Sequence, residues 1–329
     1  MSDQPVTQMK PPSTAGVAGW AGANVLATVF VVLCIFLAVL LPAFATPANA
    51  VVILQSSAIV GLMAVGLSFV MISGGFDLSF GATMFLAGAV AARVTIVYPE
   101  AALVAFIAAP LVGAAIGAAN GTLLVLTGIS PMLGTIATAL IIRALAILYV
   151  LDTWMEVPRT ATAFRALGQG NFYGLPYSVL VFVGIAAVAH CVLAHTSFGR
   201  QLYAVGANRR AAHVAGLPCR RVQIIAYTFC GACAGVSGAI NVASVGGLSA
   251  VFNISYLYEV VTAVVVGGVS FFGGIGTVTG VFLGILILAV LRNGMVLVNM
   301  PHYAQNIVAG VFLLVAIGID SWLHQRRRR

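Results

Sequence analysis

The sequence contains very little charge, and only one of its 329 residues is a lysine. Charged residues make up 7% of the chain, with seven acidic side chains in all, and the single lysine is Lys10. A phosphate-binding loop of the form G-x-x-x-x-G-K-[ST] is therefore absent, as are the G-x-S-x-G and H-E-x-x-H motifs. These absences argue against nucleotide hydrolysis, and against an enzymatic reaction of any kind, within this chain.

Cysteine is also scarce, and its arrangement does not favour a metal site. Cys230 and Cys233 form one C-x-x-C pair inside an apolar, glycine-rich run, and no second cluster of cysteine or histidine completes a ligand set. We interpret the pair as small residues that allow two helices to approach closely. No metal and no cofactor are expected in this chain.

What the sequence does contain is apolar surface: 61% of its residues are hydrophobic, and its mean hydropathy is +1.11. Such a chain cannot cover itself with polar groups in water, so we predict an integral membrane protein. Runs of about 20 apolar residues span a bilayer as helices and are too long for barrel strands. The predicted fold is all-α, a polytopic bundle of about ten transmembrane helices. The predicted spans are 23–46, 51–72, 80–97, 101–126, 131–151, 177–195, 222–246, 257–270, 277–299 and 304–323.

Basic residues predict the orientation, because short loops rich in arginine and lysine remain in the cytoplasm. Ten spans with an internal N-terminus place ten basic residues inside and leave only Arg159 and Arg165 outside. The sequence is thus divided into a disordered cytoplasmic tail (1–22), a transmembrane domain (23–324) and a basic cytoplasmic tail (325–329). Both termini are expected in the cytoplasm.

The largest soluble feature is the basic segment 196–221 between the sixth and seventh spans. Residues 199–216 are predicted to form a short amphipathic helix pair, in which Gly206 and Gly216 end the turns. One interpretation is an interfacial helix that lies on anionic lipid. The other, favoured by the dense glycine and asparagine positions, is a docking element for a cytoplasmic partner.

A carboxylate flanked by glycines interrupts the apolar pattern at SGGFDLSFGA, residues 73–82. Asp77 or Ser79 can cap the following helix, or Asp77 can line a cavity and bind a solute hydroxyl. A second glycine-rich interruption of the apolar pattern is GGVSFFGGIG, residues 267–276. The two stretches align with Gly74 on Gly267. Paired glycine-interrupted segments are typical of internal repeats with broken helices around a transport path. Whether the repeats are parallel or inverted stays open.

Arg143 lies in the middle of a predicted span, where an unpaired charge is costly. Asp77 and Glu259 are the only plausible carboxylates inside the membrane, so we expect Arg143 to pair with one of them. The longest outward loop, from Asp152 to Tyr177, is either a docking surface for a binding protein or a connection that packs across the bundle.

Five collinear segments resemble the permease subunits of bacterial monosaccharide ABC importers of the ribose, xylose and galactose type. They are SGGFDLSFGA, GAANGTLLVLTGISPMLGTIATALIIRALA, TSFGRQLYAVGANRRAAHVAGL, YEVVTAVVVGGVSFFGGIGTVTGVFLGIL and RNGMVLV. The resemblance implies a homodimer or heterodimer of permease chains, a periplasmic or extracellular sugar-binding protein, and a separate cytoplasmic ATPase that binds ATP and Mg²⁺. It implies location in the bacterial inner membrane and alternating access as the mechanism.

The resemblance also assigns candidate residues. Those that match the family's ATPase-coupling segment are Phe198, Gly199, Arg200, Tyr203, Gly206, Asn208, Ala211, Ala212 and Gly216. Asp77, Asn120, Glu259 and Asn293 match positions of the family's pattern. With Ser79, Arg143 and Ser270, which the residues themselves suggest, they are the candidates for the translocation path or the helix breaks. The sequence departs from the family in having Phe76 and Phe80 in place of smaller aliphatic residues, and in lacking an acidic residue after Glu259.

Two alternatives remain at this point: an ion-coupled secondary transporter that uses Asp77 and Glu259 as titratable groups, and a branched-chain amino-acid ABC permease. The segment 196–221 disfavours the first, and the GG-x-DLS motif disfavours the second. The sugar or polyol, homodimer versus heterodimer, and the residues that contact the solute are not determined by the sequence.

Overall fold

The computed structural model describes residues 17–150, 154–249 and 255–328, and the chain there is predominantly helical. The long helices are α1 (Val17–Leu40), α2 (Pro47–Ile72), α3 (Phe80–Val97), α4 (Ala102–Thr127), α5 (Pro131–Val150), α7 (Tyr177–His195), α10 (Cys219–Val245), α11 (Ser255–Val266), α12 (Val278–Leu297) and α13 (His302–Arg328). The shorter helices are α6 (Thr162–Gln169), α8 (Ser197–Ala207) and α9 (Arg209–Val214), and a 3-10 turn covers Pro42–Ala45. The all-α prediction is confirmed.

Seven of the described helices are long and apolar enough to cross a membrane, namely α2, α3, α4, α5, α7, α10 and α12. Three shorter apolar stretches lie in the remaining long helices, at Val25–Leu40, Tyr256–Val266 and His302–Gly318. Helix α1 begins at Val17, six residues before the predicted span, and α13 continues into the predicted C-terminal tail. Residues 1–16 of the predicted N-terminal tail lie outside the described residues.

Helix α10 is at the centre of the bundle and contacts α2, α3 and α4. Its crossing with α4 depends on glycines spaced by four residues: a Cβ at Gly113 would overlap the carbonyl oxygen of Gly231, and a Cβ at Gly235 would overlap that of Ala109. In a membrane, helices associate through such close backbone approach, because lipid tails are as apolar as leucine. Helices α4 and α10 therefore pack closely, because the glycines at their contact have no side chains.

Cys230 and Cys233 belong to the same packing. Both are buried in α10, and Gly66 of α2 contacts them, with a Cβ at Gly66 placed 2.9 Å from the Cα of Cys230. The interpretation of this pair as small residues at a helix contact is confirmed.

The bundle has two distinguishable ends. At one end, here called the strand end, strand β1 (Met155–Glu156) pairs antiparallel with β4 (Gly247–Leu248). At the other, the α8–α9 end, α8 and α9 follow α7 and lead into α10. Helix α10 runs from the α8–α9 end to the strand end, since it begins just after α9 and ends just before β4.

Candidate functional site

The first glycine break separates α2 from α3 and is held by a network of buried polar groups. Asp77 is only 1% exposed, and its Oδ1 accepts hydrogen bonds from the backbone N–H of Ser79 (2.7 Å) and from the Ser79 hydroxyl (2.6 Å). Asn120 of α4 donates to the same hydroxyl at 2.7 Å. The structure therefore brings together three of the predicted site residues: Asp77, Ser79 and Asn120.

The predicted cap takes a different form. Ser79 occupies the N-cap position of α3, but its side chain makes no capping hydrogen bond, because it is engaged by Asp77 and Asn120. Asp77 in turn accepts from Ser79 itself rather than from the first turn of α3. The prediction that Asp77 or Ser79 caps this helix is therefore wrong for both residues, and Asp77 instead fixes the turn that precedes α3.

Two residues that sequence reasoning missed complete this break. The Tyr227 hydroxyl of α10 donates to the carbonyl of Phe76 (3.1 Å), and Thr135 of α5 accepts from the backbone N–H of Leu78 (3.1 Å). Neither residue stands out in the sequence, since a single hydroxyl on an apolar helix gives no periodic signal. The break loop is thus bound to α4, α5 and α10 at once.

The second break follows α11 and begins with the same helix-terminating turn as the first. Gly74 and Gly268 both have positive φ, 78° and 82°. The N–H of Gly74 donates to the carbonyl of Met71, and that of Gly268 donates to the carbonyl of Val265, both at 2.9 Å. In each break, the N–H of the following residue donates to the carbonyl of the residue five positions earlier. This is the turn that glycine favours at a helix C-terminus. The alignment of Gly74 with Gly267 is therefore wrong by one residue, because Gly268 is the equivalent position.

Asp320 supplies the second break with a carboxylate. Its Oδ2 accepts from the Ser270 hydroxyl (3.1 Å) and from the backbone N–H of Phe271 (2.9 Å). Asp77 makes the same pair of bonds, to one hydroxyl and one N–H, in the first break. Asp320 was not among the predicted site residues, and it follows the apolar stretch His302–Gly318 of α13. Asp320 could have been identified from the sequence, because it is one of only seven acidic residues and lies at the end of an apolar run.

Both breaks meet α8. A Cβ at Gly206 would overlap the carbonyl oxygen of Ile72 and lie 2.6 Å from the N–H nitrogen of Gly274, and a Cβ at Gly273 would lie 2.8 Å from the Cα of Gly74. Gly206 is thus within α8 and permits this contact, so the prediction that it ends a turn is wrong. We call the contact of Gly74, Gly206 and Gly273 the glycine junction.

Tyr203 adds a hydrogen bond to the glycine junction. Its hydroxyl donates to the carbonyl of Gly276 at 2.6 Å. Burial raises the pKa of Tyr203 above its ordinary value near 10. Helix α8 is therefore attached to the second break by a side chain as well as by backbone contact.

The helix pair predicted in the basic segment is confirmed as α8 and α9. Thr196 caps α8 by accepting from Gly199, Asn208 caps α9 by accepting from Ala211, and Gly216 has φ +80° after α9, as predicted.

The predicted coupling residues divide between two faces of the pair. Gly199 and Ala212 are buried, Phe198 and Tyr203 pack against the core, and Gly206 lies in the glycine junction. The opposite face is exposed and basic, and Val214 at its tip is 84% exposed. Its members are Arg200, Asn208, Arg209, Arg210, Ala211, His213, Val214, Ala215 and Gly216, and Arg220 and Arg221 at the start of α10 are exposed as well.

Glu259 forms an ion pair with Arg292 of α12. Arg143 lies half-buried on α5, and among the described residues it forms no ion pair with Glu259 or Asp77. The predicted pairing is therefore wrong. The physical reason is the placement of the helices: α11 contacts α12 extensively, which brings Arg292 to Glu259.

Asn293, adjacent to Arg292, pairs with Asn49 at the start of α2. The two amides exchange reciprocal hydrogen bonds of 2.7 and 2.9 Å, and Asn49 also donates to the carbonyl of Phe44. Asn293 is therefore in a helix contact separate from both breaks. Asn49 was missed because one amide close to a predicted span end has no pattern to identify it.

The predicted outward loop packs partly across the bundle. Gln169 of α6 donates to the carbonyl of Ser244, and Ser244 donates to that of Gly168. Strands β2 (Asn171–Phe172) and β3 (Leu175–Pro176) form a hairpin whose tip residue, Tyr173, is 95% exposed. Residues 151–153, where the predicted loop begins, lie outside the described residues.

Known proteins give a consistent comparison. The model of the family described as branched-chain amino acid transport system / permease component matches residues 49–317. Ribose import permease protein RbsC of Escherichia coli (strain K12) is 34% identical over 292 residues, which cover 88% of this chain and 91% of that protein. RbsC of Bacillus subtilis (strain 168) is 33% identical over 289 residues, 88% of this chain and 89% of the relative. The L-arabinose transport system permease protein AraH of E. coli (strain K12) is 34% identical over 300 residues, 91% of this chain and 90% of the relative. No solved structure matches the chain.

Proposed function

Because the chain belongs to the family of permease components of branched-chain amino acid transport systems and their relatives, we propose that it is the transmembrane permease of an ATP-driven monosaccharide importer. The support for a sugar is that its ribose and arabinose import relatives match nearly the whole chain. The chain is a multi-pass inner-membrane protein and not an enzyme, and ATP hydrolysis belongs to a separate subunit. The branched-chain amino-acid alternative has less support, since the relatives described above are named for sugars.

The finer arrangement is also part of the proposal. In this arrangement ten helices cross the membrane: the seven long apolar helices and the helices α1, α11 and α13, which contain the three shorter apolar stretches. The α8–α9 end and both termini face the cytoplasm, because the basic residues concentrate there. A second permease chain completes a dimer, and a periplasmic binding protein delivers the sugar at the strand end. Alternating access then carries the solute to the cytoplasm.

One observation carries this proposal: α8 has one face on both breaks and the other face exposed. A partner that binds the exposed face and displaces α8 would also displace Gly206, which lies against Ile72 and Gly274. Since packed interfaces move as discrete units, displacement of α8 would reach α2 and the loop after α11 together. A secondary transporter has no need of such an exposed basic helix pair.

The test is recovery of the ATPase. Gly199 is unsuitable for substitution because a Cβ there would overlap the carbonyl oxygen of Leu193, so a variant would disturb the fold. We choose Val214→Asp, which places a carboxylate on the exposed tip, with Tyr173→Asp at the opposite end as the matched control. Purification in mild detergent is expected to recover an ATPase with the wild type and the control, and not with Val214→Asp. Recovery of the wild-type chain alone would refute the proposal in favour of an ion-coupled carrier.

A further inference from the structure

A narrow apolar groove lies between α7 and α10. Both helices pack against α2, and a gap of about 210 Å³ is left between them. Ile185 and Val188 of α7 and Phe229, Ala232 and Val236 of α10 line it, and no polar atom of its described lining residues is exposed in it. Because α7 and α10 are both long and apolar enough to cross a membrane, the groove lies at a depth where lipid surrounds the bundle.

The width of the groove fits a hydrocarbon chain. Phe229 and Val236 are about 10 Å apart along α10, at a rise of about 1.5 Å per residue. A volume of about 210 Å³ over that length gives a mean cross-section of about 20 Å². A helix with its side chains is about 10–12 Å across, so a helix of a partner chain does not enter this space. An extended acyl chain is a single row of methylene groups and does enter it.

Basic side chains lie at one end of the two helices that form the groove. Helix α7 carries His190 and His195 in its last two turns, and α10 carries Arg220 and Arg221 in its first turn. The sequence has no aspartate or glutamate between residues 157 and 258. An anionic group that approaches α7 and α10 from the α8–α9 end therefore meets arginine, without a carboxylate on either helix to repel it.

Two of these side chains are on the side of the helix that faces the groove. On α10, Arg221 and Ile225 precede Phe229 at intervals of four residues, and both are exposed. On α7, His195 follows Val188 by seven residues and is exposed as well. Residues four or seven positions apart lie on the same side of a helix. An exposed path therefore connects the basic end with the groove.

The distance from the basic end to the groove corresponds to one leaflet of a bilayer. Arg221 is about 12 Å from Phe229 and about 22 Å from Val236 along α10. Half of a bilayer, with its headgroups, is about 20–22 Å thick. A phospholipid whose headgroup is at Arg221 therefore has the end of its acyl chain at the depth of the groove.

We propose that the groove between α7 and α10 binds an acyl chain of an anionic phospholipid, whose phosphate is held by Arg221 and His195. The guanidinium group of Arg221 pairs with a phosphate oxygen, and the imidazole of His195 donates an N–H to it. Thr196, the residue after His195, caps α8, so the lipid is bound where α7 joins α8. The site does not depend on which solute the protein carries.

The test is lipid binding by the full-length protein, purified in mild detergent with any subunits that remain bound, and measured by native mass spectrometry. The probes are phosphatidylglycerol and phosphatidylethanolamine with identical acyl chains, and we expect the wild type to bind the first more tightly. Arg221→Gln is expected to lower the affinity for phosphatidylglycerol about fivefold, the effect of one arginine at an anionic membrane surface. Ala232→Leu, which fills the groove, is expected to lower the affinity for both lipids.

The matched controls are Arg220→Gln and Ala115→Leu. Arg220 is also exposed, but it is nine residues before Phe229 and so lies on the opposite side of α10, at about 100° per residue. Ala115 is exposed on α4, outside the groove. Equal affinities of the wild type for the two lipids, or of Arg221→Gln and Arg220→Gln for phosphatidylglycerol, would refute the phosphate site. Equal lipid binding by Ala232→Leu and Ala115→Leu would refute the acyl-chain groove.

A second measurement uses the wild-type chain and applies if a variant does not fold. Phosphatidylglycerol with a diazirine group on one acyl chain is added and irradiated, and the labelled peptides are identified by mass spectrometry. We expect the label to concentrate on the peptides of α7 and α10. An even distribution over all lipid-facing helices, or exclusion of the label from α7 and α10 by a second copy of the chain, contradicts the proposal.

Discussion

At the scale of single residues, Asp77 holds Ser79 through one of its two carboxylate oxygens. Both of its hydrogen bonds with Ser79 use Oδ1, so an asparagine can preserve them with its own carbonyl oxygen. We expect Asp77→Asn to retain assembly and uptake. Asp77→Ala strands a buried N–H and hydroxyl, at a cost of about 1–3 kcal/mol, and is expected to lower the melting temperature in detergent. Equal loss of uptake in both variants, with stability intact, would instead indicate that the negative charge itself takes part in transport.

The ion pair of Glu259 and Arg292 makes a second prediction at this scale. Removing one partner leaves a charge inside the membrane, where an arginine or aspartate costs about 2.5–3.5 kcal/mol on insertion scales. Glu259→Gln and Arg292→Gln are each expected to reduce the amount of folded chain in the membrane, and the double variant to recover it. The measurement is the yield of monodisperse protein by size-exclusion chromatography, with Arg210→Gln, which changes an exposed arginine, as the comparison. If the double variant yields no more than the single variants, the pair does not stabilise the fold.

At the scale of elements, the glycine junction joins α8 to both breaks. A methyl group at position 206 cannot fit against Ile72 without moving α8 away from α2. We therefore expect Gly206→Ala to lower the melting temperature and to abolish the stimulation of ATP hydrolysis by the binding protein, although the ATPase still binds. Gly184→Ala on α7 is the control, because a Cβ there meets nothing within 4 Å and alanine favours helix. A Gly206→Ala transporter with normal stimulated hydrolysis would show that the junction carries no coupling.

At the scale of the whole molecule, the charge distribution predicts that the two ends of the bundle lie on opposite sides of the membrane. Tyr173 marks the strand end and Val214 the α8–α9 end, and both are strongly exposed. In intact cells, a membrane-impermeant maleimide is expected to label Tyr173→Cys, and to label Val214→Cys only after permeabilisation. The wild-type chain gives the background from its native cysteines. The reverse pattern would place the basic end outside and overturn the predicted orientation.

At the same scale, the two glycine breaks share a turn but differ in the source of their carboxylate. The turns at Gly74 and Gly268 are equivalent, yet one break has its carboxylate in its own loop and the other receives it from α13. The sequence could indicate both breaks, since glycine clusters interrupt apolar runs visibly. It could not give their register, because in a glycine-rich segment several alignments match equally well and only the backbone hydrogen bonds distinguish them.

The sequence by itself determined the class of the protein, the positions of its long helices, the helix pair in the basic segment and the family. Hydropathy and charge decide these features locally, because a bilayer requires long apolar helices and disfavours translocation of basic loops. The tertiary structure alone decided the partners: Arg292 rather than Arg143 for Glu259, Asn49 for Asn293, Asp320 for Ser270, and Ile72 for Gly206. The physical reason is that each of these contacts joins residues far apart in the chain, on helices whose mutual placement follows from close glycine packing. The periodicity of a single apolar helix, exposed to lipid or to other helices on every side, does not say which neighbour each face will meet.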